Sequence, residues 1–196
     1  TIFVLSVAYS MSRMRFKMRK PFMNIAMIIG LFPSFMSMIA VYYILRALNL
    51  ADGAMIRVAL IIVFSAGSGA GFYVAKGFFD TISKSLDEAA IIDGATRWNV
   101  FTKITVPLSK PIIVYTILTS FMGPWVDFIF GKVICRADAQ YYTVSIGLWK
   151  MLEKEYIDSW YTCFAAGAVV VSIPIAILFL MTQKFYVEGM TGAVKG

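Results

Sequence analysis

The chain has 196 residues, a net charge of +7, a hydrophobic fraction of 60% and a mean hydropathy of +0.77. Its charged fraction of 15% lies well below that of a soluble globular domain, so we exclude an ordinary soluble protein and expect a lipid bilayer as the solvent. The absence of histidine removes the commonest general base and metal ligand, which argues against hydrolytic catalysis. The basic residues lie in short segments between apolar runs, a distribution that suits membrane topology better than nucleic-acid binding.

The apolar runs are long enough to cross a membrane. A spanning helix needs roughly 20 mostly apolar residues, and four stretches meet that length: 22–45, 58–78, 112–130 and 161–185. Residues 1–11 have the composition expected for the end of a fifth spanning stretch. Since the chain also opens with threonine, we expect a fragment whose N-terminal part is missing. The sequence therefore predicts an all-α, polytopic transmembrane helical bundle that forms a single domain over residues 1–196.

The loops between the predicted spans differ in charge. Residues 12–20 contain no acid and five basic side chains: Arg13, Arg15, Lys17, Arg19 and Lys20. The positive-inside rule places this loop in the cytoplasm, and by alternation residues 79–110 and the tail 186–196 are cytoplasmic as well. Twelve of the 18 Lys and Arg residues then lie on the inner side. We expect a multi-pass protein of the cytoplasmic membrane of a bacterium or archaeon.

Two features resemble functional motifs without matching them. The glycine-rich residues 67–71 lack the last glycine of GxGxxG and any GKS or GKT, so their spacing suits close helix packing and predicts no nucleotide site. Cys135 and Cys163 are too far apart for a CxxC motif. We interpret both as small apolar residues, with a disulfide on the outer side as the alternative.

The predicted inner loop 79–110 carries the signals of a short helix. Ser85 followed three residues later by Glu88 is a capping-box pattern, which predicts a helix beginning at Leu86. Gly94 suits the left-handed backbone conformation that ends helices. Glu88 then completes the capping box, a structural role that leaves a second role for its charge open.

A second short helix is predicted directly after the first. Thr96 is a suitable N-cap, and Trp98, Phe101 and Thr105 would share one face until Pro107 ends the helix. Two apolar helices in a cytoplasmic loop either lie on the membrane surface or bind another protein. The residues by themselves leave both alternatives open.

The spacing of this loop resembles a known motif. Binding-protein-dependent ABC permeases carry EAA-x3-G-x9-I-x-L-P, and this chain has Glu88-Ala89-Ala90, Gly94 and Ile104-Thr105-Val106-Pro107 at those positions. Only Val106, where the family has leucine, departs from the motif. The chain further resembles the sugar-permease branch, and most closely the second permease of maltose and maltodextrin importers, through residues 31–33, 77–82, 142–148 and 187–196. The family's N-terminal region, with at least one span, is missing.

The resemblance implies the type I ABC importer permease fold and ATP-driven import of a maltodextrin or another oligosaccharide by alternating access. It implies four kinds of partner: a second homologous permease, two ATPase subunits that bind ATP and Mg, an extracytoplasmic sugar-binding protein and the lipid bilayer. The chain itself would be a transport subunit without enzymatic activity or cofactor. The alternatives are an ABC permease for a non-sugar solute and an ion-coupled secondary transporter, although paired acids deep in the spans are missing.

The resemblance also assigns roles to residues. It places ATPase coupling at Ser85, Glu88, Ala89, Ala90, Gly94, Pro107, and, in the tail, Glu188 and Gly189. The outer loop is either solvated or meets the binding protein through Glu155, Tyr156 and Trp160. Trp125 and Asp127 are candidates for the transport pathway, and simple hydration of Asp127 near the membrane boundary is the alternative.

Overall fold

The computed structural model describes the backbone of residues 1–31, 34–66, 71–136, 138–153 and 157–193, and the side chains of these residues except 34–35, 66 and 186–193. Within these ranges the chain is helical and contains no β-strand, which confirms the predicted all-α fold. The predicted helix-packing segment 67–71 lies, apart from Gly71, outside the described residues.

The helices follow one another with short connections. They are α1 (Ile2–Arg13), α2 (Arg19–Gly30), α3 (Ser34–Ala47), α4 (Met55–Ala66), α5 (Gly71–Thr81), α6 (Lys84–Ile92), α7 (Arg97–Val100), α8 (Val106–Leu108), α9 (Lys110–Val126), α10 (Ile129–Cys135), α11 (Val144–Lys150) and α12 (Ile157–Ala193). A π-helical segment, Phe101–Thr105, joins α7 to α8, and a 3-10 turn covers Ala139–Tyr141. By their contacts these elements form two compact units.

The first unit comprises Thr1–Gly30, Gly67–Thr119 and Thr182–Gly196, and its core is the contact between α1 and α5. The buried side chains recur at helical spacing on both helices: Val4, Ala8 and Met11 on α1, and Phe72, Ala75 and Phe79 on α5. Ala8 and Ala75 are fully buried, and such small side chains allow two helix backbones to approach closely. The contact therefore places the last turns of α1 and α5 side by side, directly before the predicted coupling loop.

The second unit comprises Leu31–Ala66 and Ser120–Met181. Its buried cluster joins α3, α4, α10 and α11, and its members are Leu45, Ile56, Ala59, Ile134, Cys135 and Ile146. Gly131 lies in a tight contact, since an added Cβ would be 3.2 Å from Cδ1 of Ile146 and would require that side chain to shift. A glycine at this position therefore lets α10 and α11 pack closely.

The predicted spans coincide with helices, with one correction. Residues 22–45 and 58–78 are helical on either side of 32–33 and 67–70, which are not described. Residues 112–130 are not one helix, because α9 ends at Val126 and α10 begins at Ile129.

Within the described residues, the helix Ile157–Phe185 is long and apolar enough to cross a membrane. Arg97–Leu108 and Lys110–Val126 meet the same test as a pair bent by 82°. The predicted tail continues α12, whose backbone is helical to Ala193.

Candidate functional site

Helix α6, the first helix of the predicted coupling loop, begins earlier than predicted. Its N-cap is Ser83, whose Oγ accepts a hydrogen bond from the backbone N–H of Ser85 at 3.3 Å. The prediction that Ser85 caps a helix beginning at Leu86 is wrong, because Ser83 offers the same hydroxyl two residues upstream in a non-helical backbone conformation. Glu88 then lies beyond the capping position, and its side chain is exposed.

The C-terminal end of α6 confirms the role predicted for Gly94. Its φ of 86° is in the left-handed region, and its N–H donates to the carbonyl of Ile91 at 3.0 Å. The next N–H, of Ala95, reaches back to the carbonyl of Ala90 at 2.9 Å. These two bonds form a Schellman motif, which satisfies the last carbonyls of the helix and turns the chain sharply.

The second helix of the loop starts as predicted and continues further. Thr96 caps it, with Oγ1 accepting the N–H of Asn99 at 3.2 Å. Pro107 does not end it, because the helix continues to Leu108 before the bend that leads into α9. The proline lies in the first turn of α8, where a missing N–H is tolerated.

The predicted common face of this second helix is only partly correct. The indole of Trp98 is exposed, whereas Phe101 packs on Tyr9 with ring centroids 4.6 Å apart and Thr105 is buried. The rings of Trp98 and Phe101 are nevertheless neighbours, with centroids 5.7 Å apart, and the wider π-helical turn lies between Phe101 and Thr105.

Helices α6 and α7 expose several large apolar side chains. These are Leu86, Ile91, Ile92 and Trp98, with 85% of Ile92 and 69% of Trp98 accessible. Ala89 is also exposed and Ala90 is half-buried. We name these six residues the α6–α7 surface. Exposed apolar patches of this kind mark sites of contact with another molecule.

A buried arginine attaches α6 to the end of α1. Nη2 of Arg13 donates to the carbonyls of Phe79 at 3.0 Å and Ile82 at 2.9 Å, and Nη1 lies 3.2 Å from Oδ2 of Asp87. Only 5% of the Arg13 side chain and 16% of that of Asp87 are exposed. Removal of one partner from a charge pair at this depth strongly destabilises the folded protein. The pair therefore holds α6 in a defined position.

A second carboxylate reinforces the same junction. Oδ1 of Asp80 accepts a hydrogen bond from Oγ of Ser12 at 2.6 Å, and Oδ2 accepts one from Nζ of Lys76 at 2.5 Å. Burial on its own would raise the pKa of the Asp80 carboxyl, but these hydrogen bonds and the charges of Lys76 and Arg19 hold that pKa below its ordinary value. Asp80 is therefore ionised at neutral pH and keeps both bonds.

None of Ser12, Arg13, Asp80 and Asp87 was predicted as a site residue. The sequence offers only a weak signal for them, since Arg13 opens the basic loop and Asp87 adjoins the EAA-like triplet. Their pairing depends on the contact between α1 and α5, which no local pattern reveals.

Both pathway candidates make structural hydrogen bonds within the second unit. Nε1 of Trp125 donates to the carbonyl of Val171 at 3.1 Å, and its ring stacks on that of Phe121. Oδ1 of Asp127 accepts the N–H of Gly131 at 2.8 Å, in the first turn of α10, whose N-cap residue is Phe128. A role for either residue in transport stays a prediction.

The remaining predicted residues belong to other segments of the chain. Trp160 is half-exposed in the first turn of α12, while Glu155 and Tyr156 lie outside the described residues. Glu188 and Gly189 lie on the helical backbone of α12 at positions whose side chains are not described. The disulfide alternative is wrong, because Cys135 and Cys163 are both free thiols.

Comparison with known proteins gives consistent matches along the chain. Residues 3–190 match the family described as "Binding-protein-dependent transport system inner membrane component". The galactooligosaccharides transport system permease protein GanQ of Bacillus subtilis (strain 168) is 36% identical over 191 residues, which are 96% of this chain and 66% of GanQ. The maltose/maltodextrin transport system permease protein MalG of Escherichia coli (strain K12) is 33% identical over 193 residues, which are 96% of this chain and 64% of MalG.

A solved structure shares the fold. A chain in the crystal structure of a bacterial ABC transporter involved in the import of the acidic polysaccharide alginate superposes with a TM-score of 0.74 and 26% identity, covering 94% of this chain and 68% of that one. The present chain spans slightly less than two thirds of the length of the curated relatives it matches, at 64–66%.

Proposed function

Since the chain belongs to the family of binding-protein-dependent transport system inner membrane components, we propose that it is a permease subunit of an ATP-driven carbohydrate importer. The names of the related proteins support carbohydrate as the cargo. They refer to galactooligosaccharides, to maltose or maltodextrin, and to alginate. An oligosaccharide of the maltodextrin type is our preferred substrate.

The observation that carries this proposal is the exposed α6–α7 surface. Both of its helices are fixed at their ends by caps, at Ser83 and Thr96 and at the Schellman turn of Gly94. Apolar side chains on so well ordered a segment are costly to leave in water, so a partner protein is expected to cover them. The ATPase subunit of the importer is the partner that we propose, and it would bind ATP and Mg.

The buried Arg13 explains how force applied at α6 would reach the membrane helices. An ATPase that closes on ATP would displace α6, and the bonds from Arg13 to Phe79, Ile82 and Asp87 tie that helix to the ends of α1 and α5. Displacement of α6 would then move the two packed helices instead of distorting a flexible loop. Alternating access would follow from this movement, and ATP hydrolysis would return the helices to their positions before ATP binding.

The proposed roles of the motif residues differ. The exposed carboxylate of Glu88 would face a cation of the ATPase, and the small side chains of Ala89 and Ala90 would allow close approach to the helix. Gly94 and Pro107 would set the directions in which the chain leaves α6 and enters α9. In the tail, Glu188 and Gly189 would form a second contact with the ATPase.

The other partners follow from the same proposal. We expect a homologous permease beside this one, and an extracytoplasmic binding protein on the opposite face of the membrane near Glu155, Tyr156 and Trp160. On this topology the basic residues 12–20 and the α6–α7 surface share the cytoplasmic side.

The proposal is tested by reconstitution of the full-length, tagged protein. We expect it to co-purify from mild detergent with a second permease and an ATPase, and the complex to import oligosaccharide into proteoliposomes only with ATP and a sugar-loaded binding protein. Transport driven by an ion gradient without ATP would instead establish a secondary transporter.

A matched pair of variants tests the surface itself. Ile92→Glu places a charge on the most exposed apolar side chain of α6, and we expect it to weaken ATPase association by about tenfold or more. Ile92→Val keeps the apolar contact and should leave association nearly unchanged. Equal association of both variants would show that the ATPase binds elsewhere.

A further inference from the structure

A basic cavity lies within the first unit, beside the Arg13 junction. It has a volume of about 420 Å³ and is bounded by the end of α1, the connection to α2, and helices α6 and α7. Its lining includes five basic and two acidic side chains: Arg13, Arg15, Arg19, Lys84, Arg97, Asp87 and Glu88. A volume of this size is within the range of small-ligand sites.

The charges around the cavity do not balance. Arg13 is within ion-pair distance of Asp87, whereas Arg15, Arg19, Lys84 and Arg97 form no ion pair in the described part of the chain. Converging cations repel one another unless an anion lies between them. The cavity therefore favours an anionic ligand.

Three buried polar atoms of the cavity-lining residues Arg13 and Asp87 have no hydrogen-bond partner in the described part of the chain. They are Nε and Nη1 of Arg13, which are donors, and Oδ1 of Asp87, which is an acceptor. Buried polar groups are normally satisfied, so a ligand that reached these groups would carry an anionic oxygen and a hydroxyl or ammonium donor. A phosphate ester with a hydroxylated head has both groups.

The segment between α1 and α2, next to the cavity, indicates the source of such a ligand. Between α1 and α2, apolar and basic residues alternate as Met14-Arg15-Phe16-Lys17-Met18-Arg19, and all three apolar side chains are exposed. Segments that combine exposed apolar side chains with cations lie at the membrane interface, where the apolar groups meet acyl chains and the cations meet headgroups. A lipid headgroup can therefore reach this cavity.

We propose that the cavity binds the phosphate of an anionic phospholipid, with the hydroxyls of a phosphatidylglycerol-type headgroup meeting Asp87. The bound lipid neutralises the cations next to α6 and so joins the bilayer to the segment that the ATPase is proposed to contact. The binding itself requires neither ATP nor sugar, so it can be measured whether or not the proposed transport function holds.

The test measures lipid retained by the full-length protein, purified in detergent and titrated with short-chain phosphatidylglycerol in native mass spectrometry. The double variant Arg15→Gln, Arg97→Gln removes two cations of the cavity, and the control Lys103→Gln, Lys110→Gln removes two exposed basic residues of the first unit that do not line it. We expect one tightly held phosphatidylglycerol per chain, about tenfold weaker binding in the cavity variant and unchanged binding in the control. Phosphatidylcholine should bind weakly to the unchanged protein and to both double variants.

Two results would overturn the proposal. Equal loss of lipid in both double variants would show that general surface charge, not the cavity, attracts the lipid. Inorganic phosphate that competes at similar concentration would show that the cavity takes a free anion and that the bilayer is not the source.

Discussion

Arg13 and Asp87 lie far apart in the sequence and form a buried ion pair, with Nη1 and Oδ2 3.2 Å apart. Because the same guanidinium binds two backbone carbonyls, one in the last turn of α5 and one just after it, one side chain connects three parts of the first unit. The pair therefore determines where α6 lies relative to α1 and α5.

Removal of one member of this pair should lower the free energy of unfolding more than removal of both. Arg13→Met leaves the Asp87 carboxylate buried without a counter-charge, and we expect the free energy of unfolding to fall by about 3 kcal/mol. Arg13→Met combined with Asp87→Leu removes both charges and should recover much of that loss, although the bonds to the carbonyls remain absent. Thermal unfolding of the full-length protein in detergent measures both effects.

The control for this pair is Arg15→Met, which removes an exposed arginine outside any ion pair in the described residues and should change stability by less than about 0.5 kcal/mol. A double variant no more stable than Arg13→Met alone would mean that the carbonyl bonds, and not the ion pair, hold α6. In proteoliposomes Arg13→Met should also lower the sugar transported per ATP hydrolysed.

Gly94 should be sensitive to substitution through its backbone angle alone. A Cβ added there meets nothing within 4 Å, but its φ of 86° is strained for other residues, so Gly94→Ala should cost about 1 kcal/mol. Gly77→Ala is the matched control, since its Cβ also meets nothing within 4 Å while its backbone is helical. We expect that control to be neutral or stabilising in a thermal melt.

Asp127 provides a way to separate capping from transport. Asp127→Ala removes the acceptor of the Gly131 N–H and should destabilise the protein by about 1 kcal/mol, while Asp127→Asn keeps an oxygen acceptor and should cost less. If Asp127 acts only as a cap, Asp127→Asn will transport sugar at nearly the normal rate. A large loss of uptake in a normally folded Asp127→Asn protein would assign the carboxylate to the pathway.

Cys135 should be chemically inert in the folded protein. Its thiol is buried, donates to the carbonyl of Tyr141 at 3.0 Å, and burial raises the pKa of the thiol above its ordinary value. A raised pKa keeps the unreactive protonated form dominant at neutral pH and moves reactivity to still higher pH. In a Cys163→Ser background, N-ethylmaleimide should modify the protein only after SDS unfolds it, and labelling of the native protein at pH 7 would contradict the structure.

Local signals in the sequence predicted the local features of the site. The cap at Thr96 and the turn at Gly94 depend on one residue and its nearest neighbours, and both occur as predicted. The cap of α6 was misplaced because Ser83 and Ser85 offer the same hydroxyl, and only the backbone conformation selects between them.

Features that depend on tertiary contact could not be predicted in this way. The pairing of Arg13 with Asp87 follows from the packing of α1 on α5, and the packing of Phe101 on Tyr9 likewise joins two distant parts of the chain. The break between Val126 and Ile129 lies within residues 112–130, whose apolar composition gives no signal for it.

The continuous helical turns from Arg97 to Ile104 limit which insertions and deletions this segment can accept. A surface loop absorbs an extra residue by bulging, whereas one residue added to or removed from α7 rotates everything before it by about 100° around the helix axis. Such a change would turn Trp98 and the whole of α6 away from a docked partner. The nine-residue interval between Gly94 and Ile104 thus fixes the rotation of α6 about the helix axis as well as its distance along the chain.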